Sequence, residues 1–242
     1  MPHLSYNATH TKWSFGLSMN QTQYRTAPIQ SLTTVKMNKV LRNTYALLSM
    51  TLLFSAVMAA VSMAMNWPPM GIMMVLGGYF GLLFLTTKLR NSAWGILSVF
   101  ALTGFMGVTL GPIINMYLYS YSNGSEIVML ALGGTGVIFL GMSGLALTSK
   151  RDFSFMGKFL FIGILVAFMA AIGNLFFQIP ALALAVSAMF VMLMAGLILY
   201  QTQQIIRGGE TNYIMATVTL FVSMFNLFTS LLHLLGMGFG DD

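Results

Sequence analysis

The chain has 242 residues, of which 57% are hydrophobic and only 7% are charged, and its mean hydropathy is +0.81. Soluble domains carry about 25% charged residues, so this composition excludes an ordinary soluble protein and indicates an integral membrane protein. Zero cysteines exclude a disulfide framework and thiol chemistry, and the net charge of +6 indicates orientation in a membrane rather than a nucleic-acid partner.

The first 42 residues differ in composition from the rest of the chain. They are rich in Asn, Gln, Ser and Thr and contain no acidic residue, and they carry the basic residues Lys12, Arg25, Lys36, Lys39 and Arg42. They lack an apolar run followed by a small-residue cleavage site, so we do not expect a removable secretory signal. This composition predicts a disordered polar tail over residues 1–42, followed by a transmembrane domain over residues 43–242.

Seven apolar runs follow the tail, and runs of about 18 or more such residues are typical of membrane-spanning helices. Turn residues separate them at Asn66-Trp67-Pro68-Pro69 and Ser122-Asn123-Gly124, and Pro180 suits the first turn of a new helix. The predicted fold is therefore an all-α bundle of seven transmembrane helices. The predicted spans cover residues 43–65, 70–87, 92–119, 126–148, 156–178, 180–204 and 213–236.

The basic residues predict the orientation of the bundle. All 11 Lys and Arg residues fall in the tail or in the regions after spans two, four and six, and the opposite loops contain none. Under the positive-inside rule the N-terminus is cytoplasmic, and with seven spans the C-terminal Asp241-Asp242 lies outside. The polar segment LILYQTQQIIRGGETNYIMAT, residues 197–217, then faces the cytosol and is the candidate site.

Two patterns predict which helix faces pack against protein. Closely spaced glycines occur in spans two, three and four and are expected to allow close helix packing within the monomer: Gly77, Gly81, Gly107, Gly111, Gly133, Gly134, Gly141 and Gly144. In span seven, polar residues recur at helical spacing and predict a protein-facing stripe: Thr219, Ser223, Asn226, Ser230 and His233. The stripe is expected to bond neighbouring helices or, alternatively, to line a polar path.

The sequence argues against an enzyme. Ser143 in GMSG and His233 in HLLGMGFG resemble the motifs of rhomboid intramembrane proteases. The predicted spans, however, separate these residues by roughly 22 Å in depth, whereas a nucleophile and its base must lie within about 3 Å. The chain also contains no Walker loop or metal-spaced cluster, and no charged residue is expected in mid-span, so no cofactor or coupled transport is predicted.

Four segments together resemble the Bax inhibitor-1 family, and most closely its bacterial, YccA-like branch of modulators of the membrane protease FtsH. They are GFMGVTLGPIIN (104–115), LTSKRDFSFMGKFL (147–160), ILYQTQQIIRGGETNYI (198–214) and LFVSMFNLFTSLLHLLG (220–236). The similarity extends from about Val40 to the C-terminus. The resemblance implies a bundle in which six helices surround a central hydrophobic helix.

The resemblance also implies where a gate would lie. Calcium-leak members of the family carry paired carboxylates in the motifs ILYD and LYLDF, which form a pH-sensitive latch. The matching positions here are Gln201 in ILYQ and Ser223 in LFVSM, and neither side chain titrates. The candidate gate region comprises Gln201, Ser223, Asn226, Glu210 and Arg207.

The resemblance therefore leads to two expected functions. The first is a bacterial inner-membrane inhibitor of the ATP-dependent protease FtsH and a partner of its membrane regulators. The protease would grip the cytosolic tail, with Lys12, Arg25, Lys36 and Lys39 as candidate contacts. The alternative is a calcium or cation leak channel with a degenerate latch, lined by spans six and seven.

Overall fold

The computed structural model describes residues 29–239, with side chains for residues 39–239, and the described chain is entirely helical apart from its turns. All seven helices are long and apolar enough to cross a membrane, which confirms the predicted seven-helix fold. The helices are α1 Ile29–Ala64, α2 Ile72–Leu89, α3 Trp94–Ser120, α4 Gly124–Thr148, α5 Met156–Phe177, α6 Pro180–Arg207 and α7 Tyr213–Phe239.

The turn between α5 and α6 shows how the sequence sets the ends of the helices. Gln178 adopts a left-handed conformation with φ 51°, and its backbone N–H donates to the Asn174 carbonyl oxygen at 2.8 Å. The Asn174 side chain accepts a hydrogen bond from the Ile179 N–H at 3.0 Å. Pro180 then begins α6, where its missing N–H costs no helical hydrogen bond. The predicted reversal at Pro180 is confirmed.

Helix α1 begins earlier than the predicted first span. It starts at Ile29 rather than at Asn43, and its 36 residues make a helix about 54 Å long. Its apolar, membrane-spanning part is Lys39–Ala64, so the N-terminal turns of α1 extend beyond that part. The hydropathy of the sequence indicated only the apolar, membrane-spanning part of α1. Residues 1–28 of the predicted tail lie outside the described residues.

Helix α7 lies at the centre of the bundle and packs against α1, α3, α4 and α6. It supplies fully buried side chains such as Leu220, Phe221 and Leu227 to the main core. Among the described helices, α2 packs closely only against α3, and α5 packs closely only against α6. Those two helices therefore form the edges of the bundle.

The glycines divide into two groups. Gly107 and Gly111 of α3 lie directly against α1, where an added Cβ would strike the Ser55 carbonyl and the Ser62 side chain. By contrast, an added Cβ would meet open space at Gly77 and Gly81 of α2 and at Gly133, Gly141 and Gly144 of α4. The prediction of packing within the monomer is therefore correct for α3 and wrong for α2 and most of α4.

The two ends of the bundle differ in charge. The Lys and Arg residues with described side chains all lie at the end where the spanning part of α1 begins and where the α2–α3, α4–α5 and α6–α7 connections lie: Lys39, Arg42, Lys88, Arg90, Lys150, Arg151, Lys158 and Arg207. We call this the basic end. The candidate segment, residues 197–217, belongs to it.

Candidate functional site

Gln203 joins α6 to the α4–α5 loop at the basic end. It is 1% exposed, and its Nε2 donates to the Arg151 carbonyl oxygen at 2.6 Å. Its Oε1 accepts from the Phe153 N–H, also at 2.6 Å. One side-chain amide therefore forms hydrogen bonds with a backbone acceptor and a backbone donor of a loop that has no secondary structure of its own. Buried polar groups need such partners.

Arg207 reinforces the same connection one helical turn further along α6. Its Nη2 donates to the Arg151 carbonyl oxygen at 2.7 Å, and its Nη1 lies 3.2 Å from Oδ2 of Asp152. Hydrogen bonds from Ser154 lower the pKa of the Asp152 carboxyl below its ordinary 3.8, and the charge of Arg207 adds to this effect. Arg207, a predicted gate residue, thus holds a loop in place.

Asn212 makes the corresponding connection at the start of α7. Its Oδ1 accepts from the N–H groups of Ile214 and Met215, which caps the helix. Its Nδ2 donates to the Arg90 carbonyl oxygen at 3.0 Å and to Asn91 Oδ1 at 2.9 Å in the α2–α3 loop. We call Gln203, Arg207 and Asn212 the loop clasp, because together they tie all three connections at the basic end.

Glu210, another predicted gate residue, belongs to the turn between α6 and α7. Gly208 ends α6 in a left-handed conformation with φ 78°, which glycine adopts without steric cost. The Glu210 side chain then accepts from the Asn212 N–H at 2.7 Å. In the structure, Glu210 orders the turn that carries Asn212.

A buried polar layer lies deeper in the bundle than the loop clasp. The Tyr45 hydroxyl of α1 lies 3.2 Å from Thr202 Oγ1 of α6, and its ring packs on Phe139 of α4 at 5.9 Å between centroids. Thr217 Oγ1 of α7 donates to the Tyr213 carbonyl oxygen at 2.7 Å and approaches the Thr44 carbonyl oxygen at 3.3 Å. Polar contacts therefore join α1 to both α6 and α7 at this level.

Gln201 lies in this polar layer and is 7% exposed. Its Nε2 is buried and has no hydrogen-bond partner among the described residues. Ser223 is fully buried, but its Oγ donates to the Thr219 carbonyl oxygen of its own helix at 2.7 Å. No hydrogen bond joins Gln201 to Ser223 within the described part of the chain. The helix bounds place them roughly 6 Å apart in depth.

The polar stripe of α7 faces protein as predicted, since Ser223 and Ser230 are buried and the other three side chains are half-buried. Its hydrogen bonding differs from the prediction. Thr219 Oγ1 donates to the Met215 carbonyl oxygen at 3.0 Å, and Asn226 Nδ2 donates to the Val222 carbonyl oxygen at 2.8 Å. These donors bond the preceding turn of α7, so the expectation of interhelical bonds is wrong for them.

Ser143 and His233 lie near opposite ends of the bundle. Ser143 precedes the basic end of α4 by five residues, whereas His233 follows the basic end of α7 by twenty, which is roughly 22 Å of depth difference. Both carry buried polar atoms that lack partners among the described residues. The helix bounds thus keep the depth separation that the sequence predicted.

Of the candidate protease contacts, the structure places only Lys39 with its side chain. Lys39 is exposed at the start of the spanning part of α1. Lys12 and Arg25 lie outside the described residues, and Lys36 lies in α1 with its side chain outside them. Among the described residues, no group of three or more His, Asp or Glu side chains is placed to hold a metal ion.

Gln203 and Asn212, two of the three loop-clasp residues, were not singled out from the sequence. Gln203 and Arg207 are four residues apart and therefore share a helix face. This spacing could have indicated that Gln203 acts together with Arg207. Asn212 stands directly before the apolar run of α7, a position typical of a helix cap.

Comparison with known proteins agrees with this fold. The family model described as inhibitor of apoptosis-promoting Bax1 matches residues 37–240. The chain is 53% identical over 203 residues to an uncharacterized protein of Pseudomonas aeruginosa, covering 84% of this chain and 91% of that one. It is 48% identical over 204 residues to the Escherichia coli K12 protein named modulator of FtsH protease YccA, covering 84% and 92%.

A membrane protein of Vibrio cholerae is 44% identical over 210 residues, covering 86% of this chain and 94% of the relative. The family match includes all seven spans and leaves out most of the N-terminal segment. The family match covers well over half of the chain, and the seven-helix structure agrees with it. This chain therefore belongs to the Bax inhibitor-1 family.

Proposed function

We propose that this chain is a non-enzymatic modulator of FtsH that restrains the proteolysis of other proteins in the bacterial inner membrane. The similarity to the E. coli protein named modulator of FtsH protease YccA carries the proposal, because it covers 92% of that relative. A relative from a second E. coli strain, also 48% identical over 204 residues, is named inner membrane protein YccA. Since one fold supports several functions, the site must also fit the proposal.

The residues at the family's latch positions favour the modulator over a pH-gated leak. Gln201 and Ser223 stand where the calcium-leak members carry carboxylates, and an amide and a hydroxyl do not titrate between pH 5 and 8. The Ser223 hydroxyl also bonds its own helix. These two positions therefore lack the coupled charges that such a latch requires.

The loop clasp suits a protein that resists extraction. A protease that pulls on the N-terminus must separate α1 from its neighbours before the rest of the bundle follows. Tyr45 and Thr217 connect α1 to α6 and α7, while Gln203 and Asn212 hold the α4–α5 and α2–α3 loops at the basic end. A tightly connected basic end would keep the chain bound to the protease and so occupy it.

The proposal places the basic end in the cytoplasm, because positively charged loops are retained there. Reporter fusions near Lys88, Arg151 and Arg207 should give cytoplasmic signals, and a fusion at the C-terminus should give an external signal. A cytoplasmic C-terminus would contradict this orientation.

The proposal also assigns the grip of the protease to the N-terminal segment, residues 1–42, which the family match leaves out almost entirely. Deleting residues 5–28 removes Lys12 and Arg25 but leaves α1 whole. The deletion should weaken co-purification with FtsH and lengthen the half-life of this protein in cells with active FtsH. Deleting the same segment in cells without active FtsH is the control. If the deletion leaves the half-life unchanged in both strains, FtsH does not engage this protein through the N-terminal segment.

A further inference from the structure

A cavity of about 770 Å³ lies within the membrane-spanning region, between the edge helices α2 and α5 and over the central helix α7. Such a volume is within the roughly 300–1,000 Å³ typical of small-molecule sites. Helices α2, α3, α5, α6 and α7 all contribute to its walls, and none of the lining side chains is charged. We call it the lateral groove.

The lateral groove reaches from the end opposite the basic end to beyond the middle of the bundle, where Phe161 of α5 lines it. Pro69 and Met70, in the connection between α1 and α2, line it near the surface, and Val222 and Asn226 line it at mid-depth. Asn226 is 13 residues from the start of α7, which is about 20 Å of helix rise. The groove is therefore elongated along the membrane normal.

The walls suit a hydrocarbon occupant. Apart from Asn226, the polar side chains that line the groove are Tyr79 and Thr109. Thr109 Oγ1 donates to the Met106 carbonyl oxygen at 2.8 Å, and Asn226 Nδ2 donates to the Val222 carbonyl oxygen at 2.8 Å. These donors are engaged with their own helices, so the wall presents a largely apolar surface to its occupant.

A ring contact between the edge helices favours an acyl chain over a helix as the occupant of the groove. The Phe80 ring of α2 meets the Phe168 ring of α5 edge to face, with ring centroids 6.5 Å apart. This contact bridges the two edge helices. A helix would have to break this contact to enter the groove. A single flexible acyl chain is thin enough to enter without breaking it.

We propose that the lateral groove binds one acyl chain of a membrane phospholipid, taken from the leaflet opposite the basic end. The bilayer surrounds the groove and supplies that chain, and a neutral apolar wall has no group to select a charged ligand. The bound chain serves as packing between α2 and α5, whose backbones do not pack closely in the described structure although the Phe80 and Phe168 rings meet.

The test is to measure phospholipid retained by the purified full-length protein. After extensive washing in a neutral detergent, native mass spectrometry should detect one bound phospholipid. The variants Leu76→Trp and Ile164→Trp fill the groove from α2 and from α5 and should each abolish retention. Val137→Trp places the same bulk on an exposed face of α4 outside the groove and is the matched control.

A thermal-melting measurement separates loss of the site from loss of the fold. Added phospholipid should raise the melting temperature of the natural protein and of Val137→Trp, and should not raise that of a folded groove-filled variant. Equal retention by both groove-filled variants and the control would overturn the proposal. So would a washed natural protein that holds no phospholipid, or one that holds a peptide in its place.

Discussion

The Gln203 side chain of α6 lies 2.6 Å from the Arg151 carbonyl oxygen and 2.6 Å from the Phe153 nitrogen, so one buried amide fastens the α4–α5 loop to the helix. Replacing Gln203 by Leu removes both hydrogen bonds and leaves the loop groups without their partner. We expect the free energy of unfolding to fall by about 1–3 kcal/mol. Gln204→Leu, on the neighbouring half-buried position, is the matched control and should cost less. Reversible unfolding in mixed micelles measures the free energy of unfolding of both variants. An equal decrease in the two variants would contradict the role given to Gln203.

The ion pair between Arg207 and Asp152 should persist throughout the physiological pH range. The pKa of Asp152 is lowered from 3.8 by the Ser154 hydrogen bonds and then by the Arg207 charge. A depressed folded-state pKa means that its contribution is present above the unfolded pKa and is lost as the pH falls through the folded one. Hydrogen exchange of residues 149–155, corrected for intrinsic rates, should therefore be constant from pH 5 to 8. Loss of protection between pH 7 and 6 would show that another group controls the loop.

Gly107 should tolerate substitution poorly because α1 lies directly against it. A Cβ at Gly107 would strike the Ser55 carbonyl group, which is backbone and has little freedom to move, whereas a Cβ at Gly81 would meet open space. We expect Gly107→Ala to cost on the order of 1–3 kcal/mol and Gly81→Ala to change stability by less than about 1 kcal/mol. Melting temperatures of the two variants test this, and equal tolerance would contradict the close packing of α1 on α3.

Much of the fold follows from the sequence because hydropathy and turn residues act locally. The predicted spans two to seven agree with α2–α7 to within a few residues, and Pro180 begins α6 as expected. The start of α1 at Ile29 was missed, because polar residues continue a helix without adding to an apolar run.

The site was less predictable because its main contacts join residues far apart in the chain. Gln203 bonds the backbone of a loop about 50 residues away, and no local pattern records such a partner. The spacing of Thr219, Ser223 and Asn226 correctly indicated a protein-facing side of α7. It did not indicate their partners, since these side chains reach the preceding turn of the same helix.

Restoring carboxylates at the latch positions should introduce a pH response. Gln201 and Ser223 are buried, so aspartates at both positions would put two titratable groups inside the bundle, where like-charge repulsion opposes their joint ionisation. Calcium flux into liposomes, measured from pH 5 to 8, should depend on pH in the double variant more than in Gln201→Asp or Ser223→Asp. The natural protein should show little dependence. Strong pH gating in the natural protein would place the sensor at another group and would favour the leak channel.

The proposed restraint of FtsH by this membrane protein can be tested with purified components. The most direct measurement is the degradation rate of a separate membrane substrate by FtsH in proteoliposomes, with ATP and with or without this protein in equimolar amount. The account predicts slower degradation with the natural protein and a smaller effect after deletion of residues 5–28. ATP hydrolysis by FtsH, followed in the same vesicles, controls for loss of active protease. An unchanged substrate half-life, with the natural protein folded in the same membrane as active FtsH, would contradict the account.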